Sequence, residues 1–165
     1  MAARVEFQDF SIQCKDALED ACIQFLEEAA SELESQAARN SSFSKNLHGT
    51  WKHVVDESKK EATVGNPMEL AIWMELGTGE YALEGKGRKG YWVFVKGNKS
   101  VKEQNPGRAR TLEEAKKAVA ILREQGLEAY YTKGQRPRRM LHNAFETKKA
   151  AIIRRAEQVL KGRMK

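Results

Sequence analysis

The sequence predicts an α+β fold: a small antiparallel sheet of about four strands packed against two long terminal helices, with two short helices inserted. Three observations carry this. Apolar residues recur at helical spacing over many turns at both ends of the chain. Short segments rich in β-branched and aromatic residues lie between. Gly, Pro and capping residues punctuate the middle. At 165 residues the chain reads as one domain, residues 1–165, large enough to bury a single core.

The elements follow in order. From Ser11 to Ala38, Cys14, Leu18, Ala21, Cys22, Phe25, Ala29 and Leu33 share one helical face and acids fill the other. Asp9 or Ser11 can cap this helix. The polar run 39–46 ends it. Leu47, Trp51 and Val55 keep a period of two, which reads as a strand, and 59–66 reads as its partner. A short helix comes next, with Asn66 as N-cap, Pro67 at its first position and Glu69 completing a capping box. Gly77 is placed as its left-handed C-terminal residue. After a Gly- and Lys-rich loop at about 82–90, Tyr91–Val95 carries bulky residues on both faces, as a doubly covered strand would. A polar connection at about 96–110 follows, and both loops are expected to be flexible. The next helix opens with a Thr111/Glu114 capping box, buries Leu112, Ala115, Val119 and Leu122, and stops at Gly126. A strand at 127–134 leads into a last helix opening near Arg136, with Leu141, Phe145, Ile152, Ala156 and Leu160 inward.

Charge is unevenly distributed. The net charge is +6, yet residues 1–37 hold nine acids and two bases, and residues 132–165 hold eleven bases and two acids. Two helix faces of opposite sign result, able to attract each other within a chain or between subunits. No apolar run is long enough to span a bilayer, and the N-terminus has no secretory pattern. Cys14 and Cys22 would lie about 12 Å apart on one helix, too far to bridge. They read as small buried residues in a reducing compartment.

Few residues suggest chemistry. Gly77-Thr78-Gly79 follows a helix instead of opening one, and no Lys-Ser or Lys-Thr comes after it, so it lacks the order of a phosphate loop. Gly85, Gly87 and Gly90 precede a strand and fail likewise. His48 and His53, read on one strand, point to opposite faces and cannot share a metal. Glu75 with His142 is the one acid–imidazole pair worth naming as an enzymatic alternative. No cofactor, metal or catalytic set is expected. Arg136, Arg138 and Arg139 lie near Tyr130 and Tyr131, of which at least one should be core. Together with Lys148, Arg154 and Arg155 they form a candidate interaction surface. Taken alone, it fits a small basic nucleic-acid-binding protein.

The order of these signals resembles the tail-component family of morphogenesis proteins in long-tailed bacteriophages and prophages. An "A-x-hydrophobic-x-E-x-G-T-G" segment is matched by Ala71, Glu75, Gly77, Thr78 and Gly79. A "G-x-x-P-x-x-hydrophobic-hydrophobic-x-x-A" segment is matched by Gly134, Pro137, Met140, Leu141 and Ala144. The family often has Phe where Met140 stands, a swap that keeps bulk and apolarity. The resemblance covers essentially the whole chain. It implies a non-enzymatic head–tail joining or tail-completion component of the neck, found in the virion and in the host cytoplasm during assembly. The implied partners are further copies in a template-dependent ring, with a hexamer as one candidate, and the phage connector or head-completion and tail-terminator or tail-tube proteins. DNA is a candidate contact, and a membrane is not.

Overall fold

A computed structural model describes residues 11–97 and 108–163. The fold is α+β, with helix dominant. The chain divides into two compact units: Met1–Pro67 with Met140–Lys165, and Met68–Arg139, which is inserted between those two segments.

The first unit is built on two helices, α1 (Ser11–Asn40) and α5 (Met140–Arg163), with α2 (Lys45–His48) and the hairpin β1 (Lys52–Asp56) and β2 (Glu61–Gly65). Asp9 lies outside the described residues. The two long helices run antiparallel: Asn40 donates to the Met140 carbonyl at 2.8 Å, Lys148 meets Glu32 at 2.9 Å and Arg155 meets Glu28 at 2.9 Å. Ala21, Ala30 and Ala37 on α1 and Ala144 on α5 are buried, and small residues of this kind let helix backbones approach closely. Beneath the α1 end, Leu47 and Trp51 are buried, and the Trp51 indole donates to Ser41 Oγ at 2.8 Å. Asp56 pairs with Glu61 at the closed end of the antiparallel hairpin, and Asp56 Oδ1 accepts the Ser58 and Lys59 amides at 3.0 and 3.1 Å.

The inserted unit holds α3 (Glu69–Leu76), a single 3₁₀ turn (Gly79–Tyr81), β3 (Tyr91–Val95), β4 (Arg108–Ala109), α4 (Leu112–Glu124) and β5 (Ala129–Thr132). Its antiparallel sheet has the order β4-β3-β5. Val93, Ala109 and Ala129 on the sheet pack with Ala115 and Val119 on α4. Thr111 and Glu114 form the anticipated capping box.

Several expectations are corrected. The strands do not make one sheet but two, one of two strands and one of three. Leu47 lies in the one-turn helix α2 and not on a strand, so His48 and His53 are not strand neighbours. Asn66 does not cap α3: its side chain turns back to Thr50 Oγ1 at 2.8 Å, and the helix starts after Met68 with no side-chain cap. Strand β3 is not fully covered on both faces, since Phe94 is 40% exposed. Leu112, Phe145 and Leu160 are exposed, Cys14 is exposed and Cys22 half-buried, and neither Tyr130 nor Tyr131 is core. The last helix begins at Met140 and not near Arg136. Most of the 96–110 connection lies outside the described residues.

Candidate functional site

The two segments that carry the resemblance meet in the inserted unit. Helix α3 ends at Gly77, whose φ of 74° and ψ of 174° lie in a region that is essentially glycine-only. This is a positive φ, as expected of the capping residue, but it extends the chain instead of curling it. The extended run then pairs with the stretch that follows β5. The Thr78 amide donates to the Gln135 carbonyl at 2.9 Å, the Glu80 amide to the Lys133 carbonyl at 2.9 Å, and the Arg138 amide to the Met74 carbonyl at 2.7 Å. In return the Gln135 amide donates to Thr78 Oγ1 at 2.9 Å. This pairing runs up to the start of α5. Arg139, the residue after this pairing, has a φ of 52°, outside the helical region, and the helix opens at Met140.

The glycines make the close approach possible. A methyl group at Gly77 would lie 2.8 Å from Pro137 Cδ and 2.9 Å from the Gln135 carbonyl oxygen. At Gly79 it would overlap the Lys133 carbonyl and lie 2.8 Å from Trp92 Cη2, and at Gly134 it would overlap the Thr78 carbonyl. Gly87 adds a third chain segment: a methyl there would overlap the Gly79 carbonyl. Three backbone segments therefore touch without side chains between them, which only glycine permits.

Glu80 fastens the junction. One carboxylate oxygen accepts the Gly90 amide at 3.0 Å and the other meets Lys133 Nζ at 3.2 Å. The Gly90 amide first, and the Lys133 ammonium after it, hold the Glu80 carboxyl below its ordinary range. Glu80 in turn raises the Lys133 ammonium. Cations lie over the rings around the clasp: Arg88 over Trp92 at 5.5 Å, Lys133 over Tyr91 at 4.8 Å and Arg136 over Tyr81 at 5.3 Å. The 82–90 loop is pinned at both ends, by Leu83 to the Leu76 carbonyl and by Gly90 to Glu80.

Of the residues named from sequence, Gly77, Thr78, Gly79, Gly134 and Pro137 are brought together in the clasp. Ala71 is buried on α3, and Glu75 is half-buried beside the turn. Leu141 and Ala144 belong to α5 in the other unit, where Ala144 is fully buried. The six bases are divided between the two units. Lys148 and Arg155 are engaged with Glu32 and Glu28 of α1, and Arg154 is exposed on α5. Arg136, Arg138 and Arg139 belong to the inserted unit. Glu75 and His142 fall in different units.

Sequence reasoning missed Glu80, Gly87 and Lys133. It also missed His53, which sits on β1 with Nδ1 2.5 Å from Glu34 Oε2 and Nε2 3.1 Å from Glu27 Oε2, both on α1. The contact to Glu34, more than that to Glu27, raises the imidazole above its ordinary value. A helical face of spaced acids offered no signal for which of them would meet an imidazole.

Concave spaces open along the α1–α5 seam. One, of about 210 Å³, is lined by Leu18, Cys22, Phe25, Ala156, Val159 and Leu160. Among the described residues no group of three His, Cys, Asp or Glu side chains has the geometry of a metal site, and no helix is long and apolar enough to cross a membrane. Comparison with protein-family models, with curated proteins and with solved structures returned no match.

Proposed function

We propose that this chain is a structural morphogenesis protein of a long-tailed bacteriophage or prophage. It serves as a head–tail joining or tail-completion component of the neck and works by protein contacts without catalysis. The observation that carries this reading is the clasp. Residues 77–79 and 134–137, the glycine-bearing parts of the two segments on which the resemblance rests, are the two sides of one backbone junction, and their glycines are required by packing. Motifs of this kind mark a shape that must be kept, not a reaction.

Part of the expected assembly chemistry must be reassigned. The acidic α1 and basic α5 meet within one chain, so these pairs are not free to join neighbouring subunits. An apolar surface on the inserted unit is the better candidate for subunit contact. Leu70, Ile72, Trp73 and Leu76 on α3 are each at least 38% exposed, and Leu83 lies beside Leu76. Apolar groups clustered in this way are typical of interaction sites. One surface meeting a different one on the next copy gives the heterologous contact from which rings close. The free protein is then monomeric or weakly associated, and rings form on a connector or tail template.

Deleting the gene from a phage that carries it, with and without complementation, tests the role. Electron micrographs should show DNA-filled heads and tails left unjoined, and restored by the intact gene. Normal particles from the deletion would overturn the proposal. Sedimentation of the free protein as a tight, salt-insensitive hexamer would overturn the template dependence.

A further inference from the structure

The net charge has an address. The unit formed by residues 1–67 and 140–165 holds fourteen Lys and Arg and fourteen Asp and Glu, and is formally neutral. The inserted unit, residues 68–139, holds fifteen bases and nine acids, so the whole net charge of +6 belongs to it. The basic C-terminal helix, from sequence the natural place for a polyanion, is balanced by its own α1.

Within the inserted unit the clasp gathers bases from separate parts of the chain. Gly87 touches Gly79, and Gly79 touches Gly134. Lys86, Arg88 and Lys89, which flank the first contact, are thereby held close to Lys133 and Arg136, which flank the last. The guanidinium groups of Arg88 and Arg136 lie over Trp92 and Tyr81, at 5.5 and 5.3 Å from the ring centres. Two carboxylates belong to the same junction. Glu80 is occupied by the Gly90 amide and Lys133. Glu84 meets Lys86 at 3.5 Å, with both side chains more than 60% exposed, a pairing that water largely screens. Lys86 and Lys133 each meet a carboxylate and Lys89 also acts on Glu80, yet bases outnumber acids at this junction, and a polyanion would offset the formal excess.

We infer that this end of the inserted unit binds the phosphate backbone of nucleic acid, without sequence preference, and that α5 does not. The inference does not depend on the head–tail role, because it rests on where the charge lies. Guanidinium groups and flanking ammonium groups suit phosphate oxygens. Such binding weakens steeply with salt as counterions are released.

The test is a fluorescence-anisotropy titration of the full chain with labelled duplex and single-stranded DNA of mixed sequence, at about 50 and 200 mM salt. The two DNA forms report which backbone geometry the surface prefers. Three proteins are compared: the wild type, the loop variant Lys86→Gln/Arg88→Gln/Lys89→Gln, and the helix variant Lys149→Gln/Arg154→Gln/Lys161→Gln. The loop variant should bind about tenfold or more weakly, and its salt slope should fall by about one for each phosphate that is no longer neutralised. The helix variant should stay within about twofold of wild type. If circular dichroism shows the loop variant unfolded, Lys133→Gln/Arg136→Gln is held to the same criterion. Absence of wild-type binding at the lower salt, equal weakening in both variants, or weakening confined to the helix variant would overturn the inference.

Discussion

Two separate effects are combined in the glycines of the clasp, and substitutions can part them. Gly85 has a φ of 67° but open space around it, so Gly85→Ala should incur only the left-handed strain, about 1 kcal/mol. Gly87 lacks the positive φ but has no room, because a methyl there would overlap the Gly79 carbonyl. Gly79 has both, with a φ of 62° and a neighbouring carbonyl in the way. Thermal or urea unfolding should therefore rank the alanine variants Gly85 mildest, Gly87 next and Gly79 worst, with the last two losing about 2–4 kcal/mol. A Gly87→Ala protein as stable as Gly85→Ala would show that the three segments do not touch. From sequence, Gly77 was legible as a helix stop and Gly79 as part of the turn after it. Their real constraint, a carbonyl from a segment more than fifty residues away, leaves no local trace.

Elements were legible where the chain's own periodicity decides them. The long α1, the Thr111/Glu114 box and the β1–β2 hairpin follow from residues within a turn or two of each other. What escaped was set by distant partners. Met140 begins α5 because Arg139 before it takes a positive φ at the end of the clasp, and Asn66 deserts its capping position for Thr50. The same holds for the attachment of the hairpin. Both nitrogens of His53 face carboxylates, which only accept hydrogen bonds, so the docked imidazole is the doubly protonated cation. Glu27 and Glu34 of α1 are the charged groups facing it, and across the hairpin it pairs with Val64. Since the folded pKa is raised from 6.5, the clamp contributes fully below pH 6.5 and is lost as pH rises through the folded value. The wild type should thus outlast His53→Gln in unfolding by on the order of 1 kcal/mol near pH 6. The gap should close at alkaline pH. A gap independent of pH would mean that packing, not charge, holds β1 to α1.

At the scale of the molecule, the clasp governs how the chain can be assembled in time. The 72 residues from Met68 to Arg139 separate the two halves of the other unit, and Asn40 must find Met140 a hundred residues on. Bringing the ends of so long a flexible loop together costs about 4 kcal/mol of chain entropy. A folded insertion changes that search. The Met74 carbonyl and the Arg138 amide are bonded to each other, so once the clasp closes the long detour becomes a short bridge. The expected order is that the insertion folds first and α1 waits for α5. Pulse-labelled hydrogen exchange during refolding should find β3 and β5 amides protected before those of α1. Gly79→Ala should delay α1 protection although Gly79 belongs to the other unit. During synthesis, at about 5–20 residues per second, α1 emerges well before its partner helix and must spend several seconds with its seam uncovered. In that interval a second nascent chain could offer its own α5 in exchange. A closed clasp shortens the opportunity for such swapped dimers, so loosening the clasp should raise their yield.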